Sequence, residues 1–311
     1  MQTFSEIIGA SDYKSVLVTG CDMYSGFSIA RTLLKSKHYK HVCAGYFHEN
    51  ALVHHLKKEG ANPEHLNVEH AEQIVRAYKK ADVVVIVPPV SEHSWSEKSV
   101  AYVLAAKEAK VKGLVLCSKI NIKEMANMPM LQPLAKMEEA YDQVKDHMKA
   151  ASLVRCSMHI DVLWLLRHQI ASEHKICLPV RHDAKCAPMA EMDGARALCN
   201  MLFDPKHKPG VYELTGPETM NFDDIAHQAS SAIDSDIGYE QVDHQKFIEY
   251  LKHRKEISDN EIHFIGNILC AISDDKLDKQ TDDLKKLLGE DPHTVKGYLQ
   301  KNADDFKPHD D

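Results

Sequence analysis

A seven-residue stretch, Gly20-Cys21-Asp22-Met23-Tyr24-Ser25-Gly26, is where this 311-residue chain comes closest to a known chemical device. It follows a short apolar run and precedes a helical pattern. A dinucleotide-binding fold puts its glycine-rich turn at that junction, with a pyrophosphate against the helix N-terminus. Gly20 suits the tight turn, and Gly26 suits close packing of helix on strand. The remaining glycine position of a Gly-x-x-Gly-x-x-Gly loop, where backbone comes nearest the phosphates, is Met23. The pattern therefore points to the fold more firmly than to the ligand. A loop that merely turns the chain stays open.

The ribose position does not resolve the matter. An acidic side chain near the end of the second strand would hold a 2′-hydroxyl, and an Arg or Lys there would accept a 2′-phosphate. The chain offers Tyr46, Phe47, His48 and Glu49. Glu49 falls slightly late for NAD, and His48 is the one cation for NADP. The candidate cofactor contacts are Gly20, Met23, Tyr24, Gly26, His48 and Pro88, with NADP or NAD as the cofactor, held weakly or not at all.

Other chemistries are excluded more easily. Twenty histidines form no H-E-x-x-H, and the pairs His38/His41 and His54/His55 lack Cys or carboxylate partners at ligand spacing, so no metal site is expected. The eight cysteines are scattered, without a C-x-x-C, and read as reduced, mostly buried thiols. A formal charge of −8 argues against direct nucleic-acid binding, which rests on neutralising phosphates. The longest apolar stretches, 83–90 and 162–166, are too short to cross a bilayer. The opening residues, Met1 to Glu6, lack the charged and apolar regions of a secretory signal. The expected location is the cytoplasm, with the nucleus as a second compartment.

The elements that must position the loop are legible as an alternation. Apolar runs at 15–19, 41–47, 66–68, 82–87 and 113–117 read as strands, and helical patterns occupy 26–36, 50–59, 71–80 and 97–109. Strands separated by amphipathic helices mean βαβ units and a parallel sheet. Further on, a helix is predicted over 133–150, a strand over 152–156, a helix over 192–203 and a strand over 211–214. The apolar segment 162–172 would line a pocket or an interface. Helices then dominate, at 222–233, 245–254, 259–272, 281–288 and 293–302. The expected fold class is α/β: a Rossmann-type doubly wound parallel sheet with a smaller, mainly helical C-terminal lobe. Residues 1–157 would form the dinucleotide-binding domain and 158–311 the substrate or partner lobe, with about 189–216 returning to the Rossmann half.

Several motifs in order carry a family resemblance. Val16-Leu17-Val18-Thr19-Gly20 through Gly26, followed by Ala30-Arg31-Thr32-Leu33-Leu34, resembles the opening of NmrA-like proteins, atypical members of the short-chain dehydrogenase/reductase superfamily. Lys136-Met137-Glu138-Glu139, Ser152-Leu153-Val154-Arg155 and Met192-Asp193-Gly194-Ala195 resemble that family's later helix starts and strand. Val211-Tyr212-Glu213-Leu214-Thr215-Gly216-Pro217-Glu218 is similar to its last strand and turn, and Asp282 to Gly289 with Asp291-Pro292-His293 to a C-terminal element. The resemblance implies a nucleotide-binding Rossmann core with its cleft at the carboxyl ends of the strands. It also implies either NAD(P)-binding regulators that sense redox state and bind partner proteins, or reductases of quinones and related carbonyls.

The resemblance further implies a catalytic set of Ser, Tyr and a Lys four residues later, with the Tyr as general acid. Ser118 and Lys136 match the outer two, and the residue four before Lys136 is Gln132. An amide cannot act as that acid, and Tyr141, five residues after Lys136, lies on another helical face. Arg155 is expected to pair with a carboxylate or face the cleft, and Asp193 to favour a helix N-terminus. Met125, Met128 and Met130 suit either a loop over the cleft or core filling. Trp95 suits either a nicotinamide site or an exposed loop. The leading reading is a regulator or redox sensor with a degenerate cofactor loop and little catalysis. An NAD(P)H-dependent reductase of quinones or other small carbonyls is the alternative, and a nucleotide-free pseudoenzyme acting through protein contacts is the third.

Overall fold

The structure is a computed structural model and describes residues 2–8, 15–67, 69–92, 94–204 and 206–307. The chain divides into two compact units. One comprises the chain up to Arg155 with Gly194–Tyr212, and the other Cys156–Asp193 with the chain from Glu213 onward.

The first unit begins with a short helix, α1 (Phe4–Ile8), and then alternates β1 (Ser15–Val18), α2 (Tyr24–Ser36), β2 (His41–Tyr46), α3 (Ala51–Lys58), β3 (Asn62–His65) and α4 (Ala71–Tyr78). It continues with β4 (Val83–Ile86), α5 (Trp95–Ala109), β5 (Gly113–Lys119), α6 (Gln132–Val144) and β6 (Ala150–Cys156). A seven-stranded sheet runs in the order β3-β2-β1-β4-β5-β6-β8, where β8 is Val211–Leu214. The pairs β1/β2, β1/β4, β2/β3 and β4/β5 are all parallel. This is the expected doubly wound sheet, and its order reverses between β1 and β4, where such folds open their ligand crevice.

Burial explains the strands. Val83, Val84, Val85 and Ile86 are each fully buried, as a central parallel strand covered on both faces requires. Thr19 ties the carboxyl ends of the two central strands together. Its Oγ1 donates to the Val87 carbonyl at 2.7 Å and accepts the Val87 N–H at 2.9 Å.

Element boundaries differ from expectation in several places. The third strand is Asn62–His65, not 66–68. As the sheet edge it tolerates polar residues and Pro63, while apolar Leu66 is buried just past it and Val68 lies outside the described residues. The α6 helix stops at Val144 and gives way to a 3-10 turn, Lys145–His147, instead of running to 150. The helix predicted to begin at 97 starts at Trp95.

The second unit is mainly helical. It holds α7 (Val162–Leu165), α8 (Arg167–Glu173), β7 (Lys175–Leu178), the start of α9 (Glu191–Phe203), α10 (Phe222–Ile233), β9 (Gly238–Gln241), α11 (His244–Arg254), α12 (Asp259–Ser273), α13 (Asp283–Leu288) and α14 (Val295–Lys301). Two helix starts are locked by reciprocal capping boxes, Asn221 with Asp224 and Ser258 with Glu261. The sequence reading missed β7 and β9, which pair in parallel as a separate two-stranded sheet. Each is four residues of mixed polarity, too short to show a period. Among the described residues, no helix is long and apolar enough to cross a membrane.

Candidate functional site

The loop after β1 is a pinched turn. Gly20 adopts φ +66°, a conformation that favours glycine, and its carbonyl accepts the Met23 N–H at 3.0 Å. A Cβ on Gly26 would lie 2.2 Å from the Gly20 carbonyl oxygen and 2.7 Å from that of Thr19. Helix α2 therefore sits directly against the turn, and only glycine permits it. Met23 is the extended N-cap residue of α2 and makes no side-chain capping bond. Its side chain is buried and its methyl lies over Gly20, 2.6 Å from where a Cβ there would be. Tyr24 opens the helix half-exposed, its ring 6.5 Å from that of Phe27.

Asp22 is the residue that sequence reasoning missed. It is almost wholly buried, and its carboxylate accepts hydrogen bonds from the N–H groups of Phe47 and His48, both at 3.2 Å. The Ser91 hydroxyl donates to it at 3.0 Å, and the Asn50 amide donates to the Asp22 carbonyl at 2.7 Å. One side chain of the glycine-rich loop thus reaches the end of β2 and the segment after β4. A carboxylate at the end of β2 was sought some twenty residues further along the chain. Glu49, the candidate there, is exposed and pairs with His54 at 2.9 Å. The His48 side chain is exposed, while Pro88 is half-buried just beyond β4. Cys21, wholly buried in the loop, has its thiol pushed well up by burial and then by the charge of Asp22. It is a protonated, unreactive sulfur.

No hydrogen bond links the implied catalytic residues Ser118 and Lys136. Ser118, near the end of β5, is buried and its hydroxyl has no hydrogen-bond partner. Lys136 is exposed on α6, on the same face as exposed Gln132 one turn earlier. Tyr141 is buried, its phenol pushed up by burial and by Asp142 and Asp146, so it cannot serve that face.

The neighbouring candidates turn out to be structural. Arg155 makes a forked pair with buried Glu138 of α6, at 2.9 and 2.6 Å. Glu138→Ala should cost about 2–3 kcal/mol in a urea melt, a loss moderated because the guanidinium still reaches water. An unchanged midpoint would count against the pair as a structural tie. Trp95 is buried at the start of α5, so it is not an exposed loop aromatic. Met125 is core, with Met128 and Met130 half-buried. In the second unit Asp193 does more than favour a helix start. Fully buried, it accepts the His293 N–H at 2.7 Å and faces His293 Nδ1 at 2.9 Å. Among the described residues no group of three or more His, Cys, Asp or Glu is arranged to hold a metal.

Comparison with known proteins agrees with this architecture. The chain resembles, at 20% identity and a TM-score of 0.74, a nucleoside-diphosphate-sugar epimerase from Staphylococcus aureus, over 92% of this chain and 99% of that one. An NADPH-dependent quinone oxidoreductase from Escherichia coli, in complex with NADPH, matches with a TM-score of 0.76 at 16% identity, over 92% and 99%. A triphenylmethane reductase from Citrobacter sp., in complex with NADP(H), matches with a TM-score of 0.75 at 18% identity, over 93% and 99%. At these identities the likeness is one of fold. A curated relative, the prestalk A differentiation protein A of Dictyostelium discoideum, is 25% identical over 101 residues, about a third of either protein's length (32% of this chain, 33% of that one). The model of the NmrA-like family matches residues 12–299, nearly the whole chain, and the protein belongs to that family.

Proposed function

We propose that this protein is a nicotinamide-dinucleotide-binding regulator that reports nucleotide state through contacts with another protein and carries out little hydride chemistry. The residues present fit a dinucleotide. The turn at Gly20 and Gly26 brings α2 so close that no Cβ fits, and the N-cap residue Met23 makes no side-chain capping bond. Gly20, Met23, Tyr24 and Gly26 would lie along the pyrophosphate, with Pro88 and His48 flanking it. When bound, the nicotinamide supplies a hydride, and a carbonyl acceptor then needs a proton.

The observation that carries the reading is the exposed face of α6. It presents Lys136 and the Gln132 amide, while the nearest phenol on that helix, Tyr141, is buried. Cys21, the cysteine of the glycine-rich loop, is buried with its thiol pushed up, so it is a poor oxidation sensor at this turn. The reductase reading keeps one specific support, the unpaired buried hydroxyl of Ser118, which a bound acceptor could engage.

Calorimetric titration with NADH and NADPH tests the reading. Binding with a Kd in the micromolar range supports it, and absence of binding by both would leave the nucleotide-free alternative. Met23→Gly should tighten binding by roughly three- to tenfold, since it uncovers Gly20 where phosphate must approach backbone. A weaker complex would reverse that view of Met23.

A further inference from the structure

We infer that Asp22 makes the dinucleotide site selective for NAD(H) over NADP(H), an inference that rests on the dinucleotide reading above. An acidic side chain at the end of β2 distinguishes the cofactors because it accepts the ribose 2′-hydroxyl and repels a 2′-phosphate. Here the carboxylate comes from inside the glycine-rich loop. It is held at the end of β2 by the N–H groups of Phe47 and His48, and by the Ser91 hydroxyl.

Two consequences follow for a 2′-phosphate. The first is charge. The carboxylate accepts from three donors, two backbone N–H groups and one hydroxyl, and none of the three is a cation. A phosphate dianion beside it would meet like charge in a nearly buried setting. The second is that the backbone donors a phosphate would use are already taken. A carboxylate has about four acceptor positions, of which three are filled, so a hydroxyl donor still finds one.

The nearby cations do not reverse this. Arg31 of α2 is committed to Glu59 by a forked pair at 2.9–3.0 Å, and His55 shares the same carboxylate. The side chains at the end of β2 are buried Phe47 and exposed His48, with no Lys or Arg among 46–50. The exposed Glu49 faces His54 and leaves the role to Asp22.

The test is calorimetry of the full chain with NADH and NADPH, on the wild type, Asp22→Asn and His48→Arg, each checked by a thermal melt. The wild type should bind NADH at least about tenfold more tightly than NADPH. Asp22→Asn should shrink that ratio about threefold or more, chiefly by improving NADPH. His48→Arg, a surface change that keeps Asp22 in place, should also gain NADPH affinity. Wild-type binding of both cofactors with equal strength, or a preference for NADPH, would leave the dinucleotide reading standing and overturn the role of Asp22. So would a ratio unmoved in a folded Asp22→Asn. If neither cofactor binds, the reading beneath the inference falls, and the inference falls with it.

Discussion

Gly26→Ala should lower the stability of the first unit by roughly 4 kcal/mol, near the upper end of what a single methyl group can do. The added Cβ would sit 2.2 Å from the Gly20 oxygen, 2.4 Å from the Gly20 carbonyl carbon and 2.7 Å from the Thr19 oxygen. All three are backbone atoms, so no side chain can rotate away. Helix α2 must instead lift from β1, and the contacts of buried Ile29, Ala30 and Leu33 loosen together. Against a total stability of about 5–15 kcal/mol, that loss is large. The two tryptophans divide usefully for the measurement. Trp95 is buried in the first unit, and Trp164 is partly exposed in the second. Urea melts followed through each tryptophan, the other replaced by Phe, would separate the transitions. Gly238→Ala is the control, because its Cβ would meet nothing within 4 Å. A Gly26→Ala protein that melts with the wild type would mean that helix α2 lifts from the turn at little cost.

How much of this was readable in advance depended on where each signal resided. The central strands announce themselves because burial on both faces leaves only apolar residues, as in Val83 to Ile86. The edge strand Asn62–His65 does not, since one free edge admits Pro63 and a polar composition that no apolar pattern reveals. Gly20 and Gly26 were legible because their geometric duties are local. Asp22 was not, although it stands between them. Its partners are N–H groups 25 and 26 residues further along and a hydroxyl 69 residues away, brought together only when β1, β2 and β4 align. No side-chain type marks a backbone donor in a sequence. Asp193 escaped for a similar reason, its partner His293 being 100 residues distant. The roles of Ser118 and Lys136 came from resemblance alone, and the structure leaves one hydroxyl buried and unpaired and one ammonium exposed.

Gln132 in the general-acid position leads to the largest expected effect, which concerns turnover. Wild-type reduction of aldehydes with NADH or NADPH should be slow or undetectable, because a positioned general acid typically contributes about a hundred- to ten-thousand-fold in rate. Gln132→Tyr should recover part of that factor. Positions 132 and 136 are one helical turn apart and both exposed, so a phenol at 132 lies beside the Lys136 ammonium. The neighbouring positive charge lowers the phenol pKa toward the working range and steadies the phenolate left after proton transfer. Lys136→Ala combined with Gln132→Tyr should then lose the gain, which ties the effect to the pair and not to a new aromatic surface. Quinones are the informative contrast, since the reduced quinone can take its protons from water. A wild type that reduces quinones quickly, and stops doing so as Lys136→Ala, would overturn the regulator reading and make Lys136 a catalytic residue. If instead nucleotide binds and no variant turns over, the chemistry ends at binding, and α6 offers a reason. Its exposed face carries Gln132, Lys136 and Glu139, and no phenol stands there to act as the general acid of a carbonyl reduction.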